Sequence, residues 1–236
     1  MKNASRFTMG AIAALFLTAS PALAYEGADV KDGGSLSGTI TGGPGKAGTL
    51  KVTKNDDVCG KTVPDESGKV KDNKIEGAVV TIQGIAKGKK ADTKPAVLDN
   101  AQCVFVPHVQ AAMVGSKIDI KNSDPILHNS HAYIGGKITT FNVALPNKGQ
   151  KVTKDLKKAG VMDVKCDAGH TWMKAWIVVH DSPYYAVTDA KGSFKIDNIP
   201  PGKYKVKVWH ETLGETEKEV TIAAKAAAKL DAAIKK

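Results

Sequence analysis

The sequence lacks the motifs that announce most activities. It has no nucleophile elbow, no zinc-protease helix motif and no phosphate-cradling loop. Asp, Glu and Ser are abundant but fall at no catalytic spacing, so the chain is not expected to be an enzyme. No basic stretch alternates with aromatic residues, which argues against nucleic acid as a partner. Beyond the first two dozen residues, no apolar run is long enough to span a bilayer. Cysteine is scarce, with three residues, Cys59, Cys103 and Cys166.

What is present begins with an export signal. Lys2 and Arg6 form a short positive region, Met9 to Thr18 is apolar, and Ala22-Leu23-Ala24 is a small-x-small cleavage site after Pro21. Residues 1–24 therefore read as a signal peptide, with Tyr25 as the new N-terminus and a periplasmic or secreted location. The rival reading, an uncleaved anchor, suffers from an apolar run too short to cross a membrane comfortably. Removing the leader leaves 32 basic residues against 24 acidic ones. Lysine supplies almost all of this charge and is spread along the chain. That pattern reports solubility and favours acidic partners through electrostatic steering.

Three thiols in an oxidising compartment cannot all pair within one chain. Either one stays free or two molecules are cross-linked. Cys166 stands beside a His and a Met, whereas Cys59 and Cys103 have no such company. The economical arrangement is a Cys59–Cys103 disulfide with Cys166 kept as a thiolate for a metal. The alternative is an inert, buried Cys166.

The chain reads as all-β. Short segments rich in β-branched residues, several of them alternating, recur at 35–41, 48–53, 78–83, 103–106, 111–114, 117–121, 160–166 and 175–180, punctuated by Gly and Pro. Residues 86–96, rich in Lys with Gly and Pro, read as an exposed loop. A boundary is expected near Asp181-Ser182-Pro183. This divides the mature chain into a first sandwich, 25–181, and a small second β-sandwich module, 182–236. In the second, Asp189-Ala-Lys-Gly192 and Pro200-Pro-Gly202 are turn signals, and Tyr204, Val206 and Val208 alternate with lysines. The Ala- and Lys-rich tail has helical propensity, yet a strand at 230–234 is expected because a small sandwich needs closing. A module of that size is marginal alone and should pack on the first, with Trp209 in the contact.

The chemistry concentrates in Cys166-Asp-Ala-Gly-His170-Thr-Trp-Met173. A thiolate, an imidazole and a thioether lie within one short loop, and soft sulfur with imidazole selects copper over hard cations. A second imidazole is available from Lys121-Asn-Ser-Asp-Pro-Ile-Leu-His128, an alternating strand followed by a turn and a histidine. The bland alternative is that these are core and turn residues.

Asn122 to Asn129 resembles the strand-end histidine segment of plastocyanin and azurin, and residues 161–176 resemble their metal loop. The chain thus resembles the cupredoxins over residues 35–180. The resemblance implies a Greek-key β-sandwich holding one copper ion, with His128, Cys166 and His170 as equatorial ligands and Met173 as the axial one. It also implies that Asn129 ties the two ligand loops together near the thiolate, and that His170 lies near the surface as the electron exit. The Cys–His–Met spacing departs from plastocyanin-like and azurin-like loops and matches half of the binuclear copper A motif. The second bridging Cys of that motif is here Met162, which implies one copper and leaves the colour of the site open. Tyr185 to Phe194 and Ile199-Pro-Pro-Gly-Lys-Tyr204 resemble a carboxypeptidase regulatory-like, transthyretin-type sandwich. The whole is similar to exported proteins labelled methylamine-utilisation proteins.

The remaining histidines are less informative. His131 should face away from His128, since positions three apart on a strand point oppositely. His108 is a candidate for a second metal site with His131 or His210. His210 is expected to pack at the module interface beside Trp209, and His180 to lie on the surface. Trp172 and Trp176 either shield the copper or serve as apolar cover, Trp176 in the core. The expected function is one-electron transfer with an exported cytochrome or oxidoreductase carrying an acidic docking patch. The alternatives are copper storage or delivery, and a non-redox envelope or carbohydrate-binding module.

Overall fold

The structure, a computed structural model, describes residues 25–43, 45 and 48–235. The expected signal peptide lies outside the described residues. Among those described, no helix is long and apolar enough to cross a membrane. The described residues are all-β apart from a one-turn helix at Asp56–Cys59.

Two hydrophobic cores organise it. The first lies between a four-stranded sheet, ordered Val104–Val106, Ala96–Ala101, Lys117–Asn122 and Lys151–Asp155, and a five-stranded sheet. The latter is ordered Val109–Met113, Lys174–His180, Gly160–Lys165, His128–Ile134 and Ile138–Leu145. The chain passes repeatedly between the sheets, so several neighbouring strands are distant in sequence. Val109–Met113 runs parallel to Lys174–His180, and Ala96–Ala101 parallel to Lys117–Asn122. Alternation explains the burial: Ile118 and Ile120 point inward from one sheet, and Phe141, Val143 and Leu145 from the other.

The second core lies between the sheet Tyr185–Val187, Val79–Ile82, Gly202–His210, Gly214–Ile222 and a sheet built around Gly34–Gly42. Here the expected boundary requires correction. Strand Gly34–Gly42, placed by sequence in the first sandwich, pairs with Ser193–Ile199 and with the tail strands Ala227–Lys229 and Ala232–Ile234. Val79–Ile82 pairs with Gly202–His210. The second sandwich is therefore built from both ends of the chain. Leu36 and Ile40 fill its core because their partners Ile196, Ile199 and Ile234 need them. Gly38 is obligatory, since a Cβ there would fall 1.8 Å from the Leu230 carbonyl oxygen. The tail is strand rather than helix, but the strand expected at 230–234 is confined to Ala232–Ile234, with 230–231 breaking it from Ala227–Lys229. The loop at 86–96 contains the short strand Lys87–Gly88, which pairs with Glu26–Gly27.

The sandwiches meet through aromatic and polar contacts. Trp176 packs edge-on against Trp209 at 5.6 Å, so Trp176 is interface rather than core. Glu211 accepts hydrogen bonds from the Trp176 indole N–H and pairs with His108, each at 2.5 Å. His180, expected on the surface, is half-buried against Thr81 and stacks on Tyr185.

Candidate metal centre

The centre lies at one end of the first sandwich, where two strand ends meet. Met162 and Val164 point into the core from Gly160–Lys165, and Cys166 continues that alternation just past the strand. A tight turn follows, in which Gly169 takes φ +96°, a conformation that favours glycine. His170 and Met173 close the loop, with the Met173 N–H donating to the His170 carbonyl. Opposite, His128 opens strand His128–Ile134.

His128, Cys166 and His170 are brought together. The Cys166 Sγ lies 3.5 Å from His170 Nδ1 and 4.0 Å from His128 Nδ1. The imidazole centroids stand 4.8 Å apart. His128 and His170 are fully buried, and Cys166 is 5% exposed. Nitrogen and sulfur donors bind soft ions at about 2.0–2.3 Å, so donors sharing one ion stand about 3–4 Å apart. The observed spacing fits one ion. Met173 is buried in the hydrophobic core that also includes Cys166.

The remote nitrogens decide which face of each ring is free. His128 Nε2 lies 2.9 Å from Asp124 Oδ2, and His170 Nε2 lies 3.0 Å from Asn55 Oδ1. Both acceptors require N–H at Nε2, which leaves each Nδ1 lone pair facing the sulfur. Burial lowers the His128 pKa despite Asp124. Burial, then His128 and Lys54, lower that of His170 to about 4. Both rings are therefore neutral, as ligation requires. Burial raises the Cys166 pKa, opposed by backbone N–H groups of Asn129, Ala168 and His170. A metal binding there must displace the thiol proton.

Asp124 is itself held. Gln102 and Cys103 form a two-residue hairpin loop with φ of +54° and +60°, and their N–H groups each donate to Asp124 at 2.8 Å. Left-handed geometry costs non-glycine residues about 1–2 kcal/mol each, so strain is stored next to the site. Asn122 fixes the turn below, donating to Ile126 and Leu145 carbonyls and accepting from the Asp124 N–H.

Asn129 touches the Cys166 loop by two routes. Its backbone N–H points at Cys166 Sγ at 3.3 Å, while its side-chain oxygen accepts from the Asp167 N–H. Cys59 is bonded to Cys103 and Cys166 is free. The Trp172 ring stands 5.2 Å from His170, and its N–H donates to the Cys103 carbonyl. His131 faces outward, bound to Asp167 and Thr139. His108 is engaged by Glu211 and the Lys174 carbonyl, and His210 by Thr212. Among the described residues, no metal-competent group of three includes any of these histidines.

One expectation fails. His170 is not at the surface: the segment 48–65 covers it and supplies Asn55. Sequence reasoning also passes over Asp124, visible only as a turn former. Asn55 carries no local signal, standing 115 positions from its partner.

Residues 164–235 match the carboxypeptidase regulatory-like domain family. The match begins within strand Gly160–Lys165 and runs through the metal loop, so its first part belongs to the other sandwich. The strands that 34–42 and 79–82 lend to the second sandwich fall outside it. No curated protein sequence matches the chain. Among solved structures, a copper-containing nitrite reductase from Thermus scotoductus is similar at 21% identity and TM-score 0.34, over 39% of this chain. The chain spans only 24% of that reductase. A purple cupredoxin from Nitrosopumilus maritimus is similar at 21% identity and TM-score 0.32, over 36% of this chain and 99% of that one. An amicyanin variant in its Cu(I) form gives 23% identity and TM-score 0.31, over 43% of this chain and 98% of that one. Overlap of this extent assigns no residue a role.

Proposed function

We propose that this protein is an exported, non-catalytic copper protein that carries single electrons. The observation that supports this reading is the convergence of one free thiol and two neutral imidazoles, each with its remote nitrogen anchored. His128, Cys166 and His170 would hold one copper ion, with Met173 as a weak fourth donor. Thiolate, imidazole and thioether suit copper far better than hard cations. Bound copper supplies a one-electron couple. The residues do the rest: Asp124 and Asn55 keep both rings in place, the Asn129 N–H tempers the sulfur charge, and burial excludes water. Donors held this firmly move little between oxidation states, which favours fast transfer. Lysines spread over the surface favour an exported cytochrome or oxidoreductase with an acidic docking face, in a salt-sensitive association.

The test is Cys166→Ser. The purified wild-type chain is expected to take up one copper and show intense visible absorption when oxidised, and the variant to lose that absorption. A variant spectrum identical to wild type would overturn the reading.

A second reading, copper storage or delivery, is favoured by one observation. His170 is fully buried beneath 48–65, so no imidazole edge is offered to a redox partner. Fast electron self-exchange supports the carrier, and Cu(I) transfer to an acceptor without net redox change supports delivery.

A further inference from the structure

We infer that segment 48–65 is a lid over the metal centre, fastened by the Cys59–Cys103 bridge, and that it sets how fast copper leaves. The inference rests on the copper reading for the identity of the ion and on the fold for everything else.

Strands Thr49–Lys51 and Thr62–Pro64 pair with each other and with neither sandwich's sheets. No backbone ladder therefore holds this hairpin down. Its attachments are side chains. Val52 and Val63 are buried in the first core, which also contains Trp172 and Met173. At the tip, Asn55 accepts from His170 Nε2. Lys54 donates to the Ala168 carbonyl at 2.7 Å, and its stem lies over Gly169. The lid thus rests on the loop that carries Cys166, His170 and Met173. Copper cannot reach solvent past His170 without displacing it.

The hairpin is also an excursion. The chain leaves the second sandwich after Gly34–Gly42 and re-enters it at Val70–Lys71. Both roots of the lid lie in one sandwich and its tip covers the other. The covalent tie to the metal-bearing sandwich is the bridge to Cys103, whose neighbour in space is Asp124, the partner of His128.

Opening follows from reduction of that bridge. A dithiol attacks the half-buried Cys59 sulfur, since Cys103 is almost wholly enclosed. The S–S bond breaks, two electrons and two protons pass to Cys59 and Cys103 as thiols, and the dithiol becomes its own cyclic disulfide. What then holds the lid is the packing of Val52, Val63, the half-buried Leu50 and the Cys59 side chain, with the Lys54 and Asn55 hydrogen bonds, and local opening becomes more frequent.

The experiment loads the full chain with Cu(I) and follows transfer to bathocuproine disulfonate. Copper uptake is measured first, because a chain that takes up none sinks the proposed function rather than the lid. The double variant Cys59→Ser/Cys103→Ser also rules out a freed thiol acting as a donor. It is expected to release copper about tenfold faster or more, since the tether's restriction is gone. Lys54→Ala/Asn55→Ala, with the bridge intact, is expected to release about threefold to tenfold faster, the effect of one or two hydrogen bonds. Release from the serine pair at the wild-type rate overturns the lid. Should the serine pair fail to fold, or the chain take up no copper, amide exchange of residues 49–64 in the copper-free native chain decides. Exchange accelerated by dithiothreitol supports the lid, and unchanged exchange overturns it.

Discussion

The two sandwiches use the same building rule and differ in what they bury. The second surrounds a core of aliphatic and aromatic side chains, from Leu36 and Ile40 to Val206 and Ile234, with a few buried polar groups such as Thr188 and His210 at its margin. The first has an equally apolar middle, but the end that holds the centre buries Asn122, Asp124, His128 and His170. Each of these polar groups is paired with a named partner, because an unpaired one would cost about 1–3 kcal/mol. The contrast teaches where to look for chemistry. A sandwich that could be apolar throughout, and is polar at one end, spends stability there on holding donors in place.

The sharpest way to break this comparison is to damage each sandwich separately. Leu36→Ala should lower unfolding stability by about 2–5 kcal/mol through cavity formation while leaving copper stoichiometry and spectrum unchanged. Denaturant titration and metal analysis check this, and altered copper binding would show that the two cores are not separable. Asp124→Ala should cost both stability and copper affinity. It leaves His128 Nε2 and the N–H groups of Gln102 and Cys103 without their acceptor. A loss of about 2–4 kcal/mol is expected, with copper affinity falling about 10- to 100-fold.

Acid probes the interface between them. Burial lowers the pKa of His180 to about 4. The unfolded chain protonates this imidazole near its ordinary 6.5, so between those values the unfolded state binds more protons. Its contribution is complete above pH 6.5 and is lost as pH falls toward 4, on the order of 2–3 kcal/mol by linkage. Thermal melts of the copper-free chain across that window should drop steeply, and His180→Gln should remove part of the drop, buried His170 supplying another part. Glu211→Ala deprives Trp176 and His108 of a shared acceptor at the same interface. A cost of about 1–3 kcal/mol is expected, with the Trp176–Trp209 contact loosened and visible in tryptophan fluorescence.

How much of this was readable in sequence depended on range. Lys117–Asn122 and Gly160–Lys165 bury apolar residues at every second position, and their alternation is visible. His128–Ile134 is not, because its inward positions include His128 and Ser130, and polar residues there hide the period. Gly214–Ile222 is an edge strand of mostly exposed Glu, Lys and Thr, whose inward face is apolar only at Val220 and Ile222, too short a run to detect. The His–Cys–His set was legible because thiol, imidazole and thioether, all metal-donor types, crowd into the short loop 166–173. Its supports were not. Asn55 reaches His170 across 115 positions, and Gly34–Gly42 reaches the tail from the other end of the chain. No local pattern encodes contacts of that span.

The smallest effect is expected at Asn129, which the resemblance made the tie between the two ligand loops. Asn129 touches the sulfur with its backbone N–H, a group every residue but proline carries. Its side chain instead bonds to Asn142 and the Asp167 N–H on the outer face. Asn129→Ala should therefore keep the N–H on Cys166 and change stability by about 1 kcal/mol or less, as an outer-face hydrogen bond does. The visible band should stay close to its wild-type position. A large spectral shift in that variant would mean that the side chain, rather than the backbone, controls the sulfur. The division between a rigid buried site and an adjustable outer face would then fail at this residue.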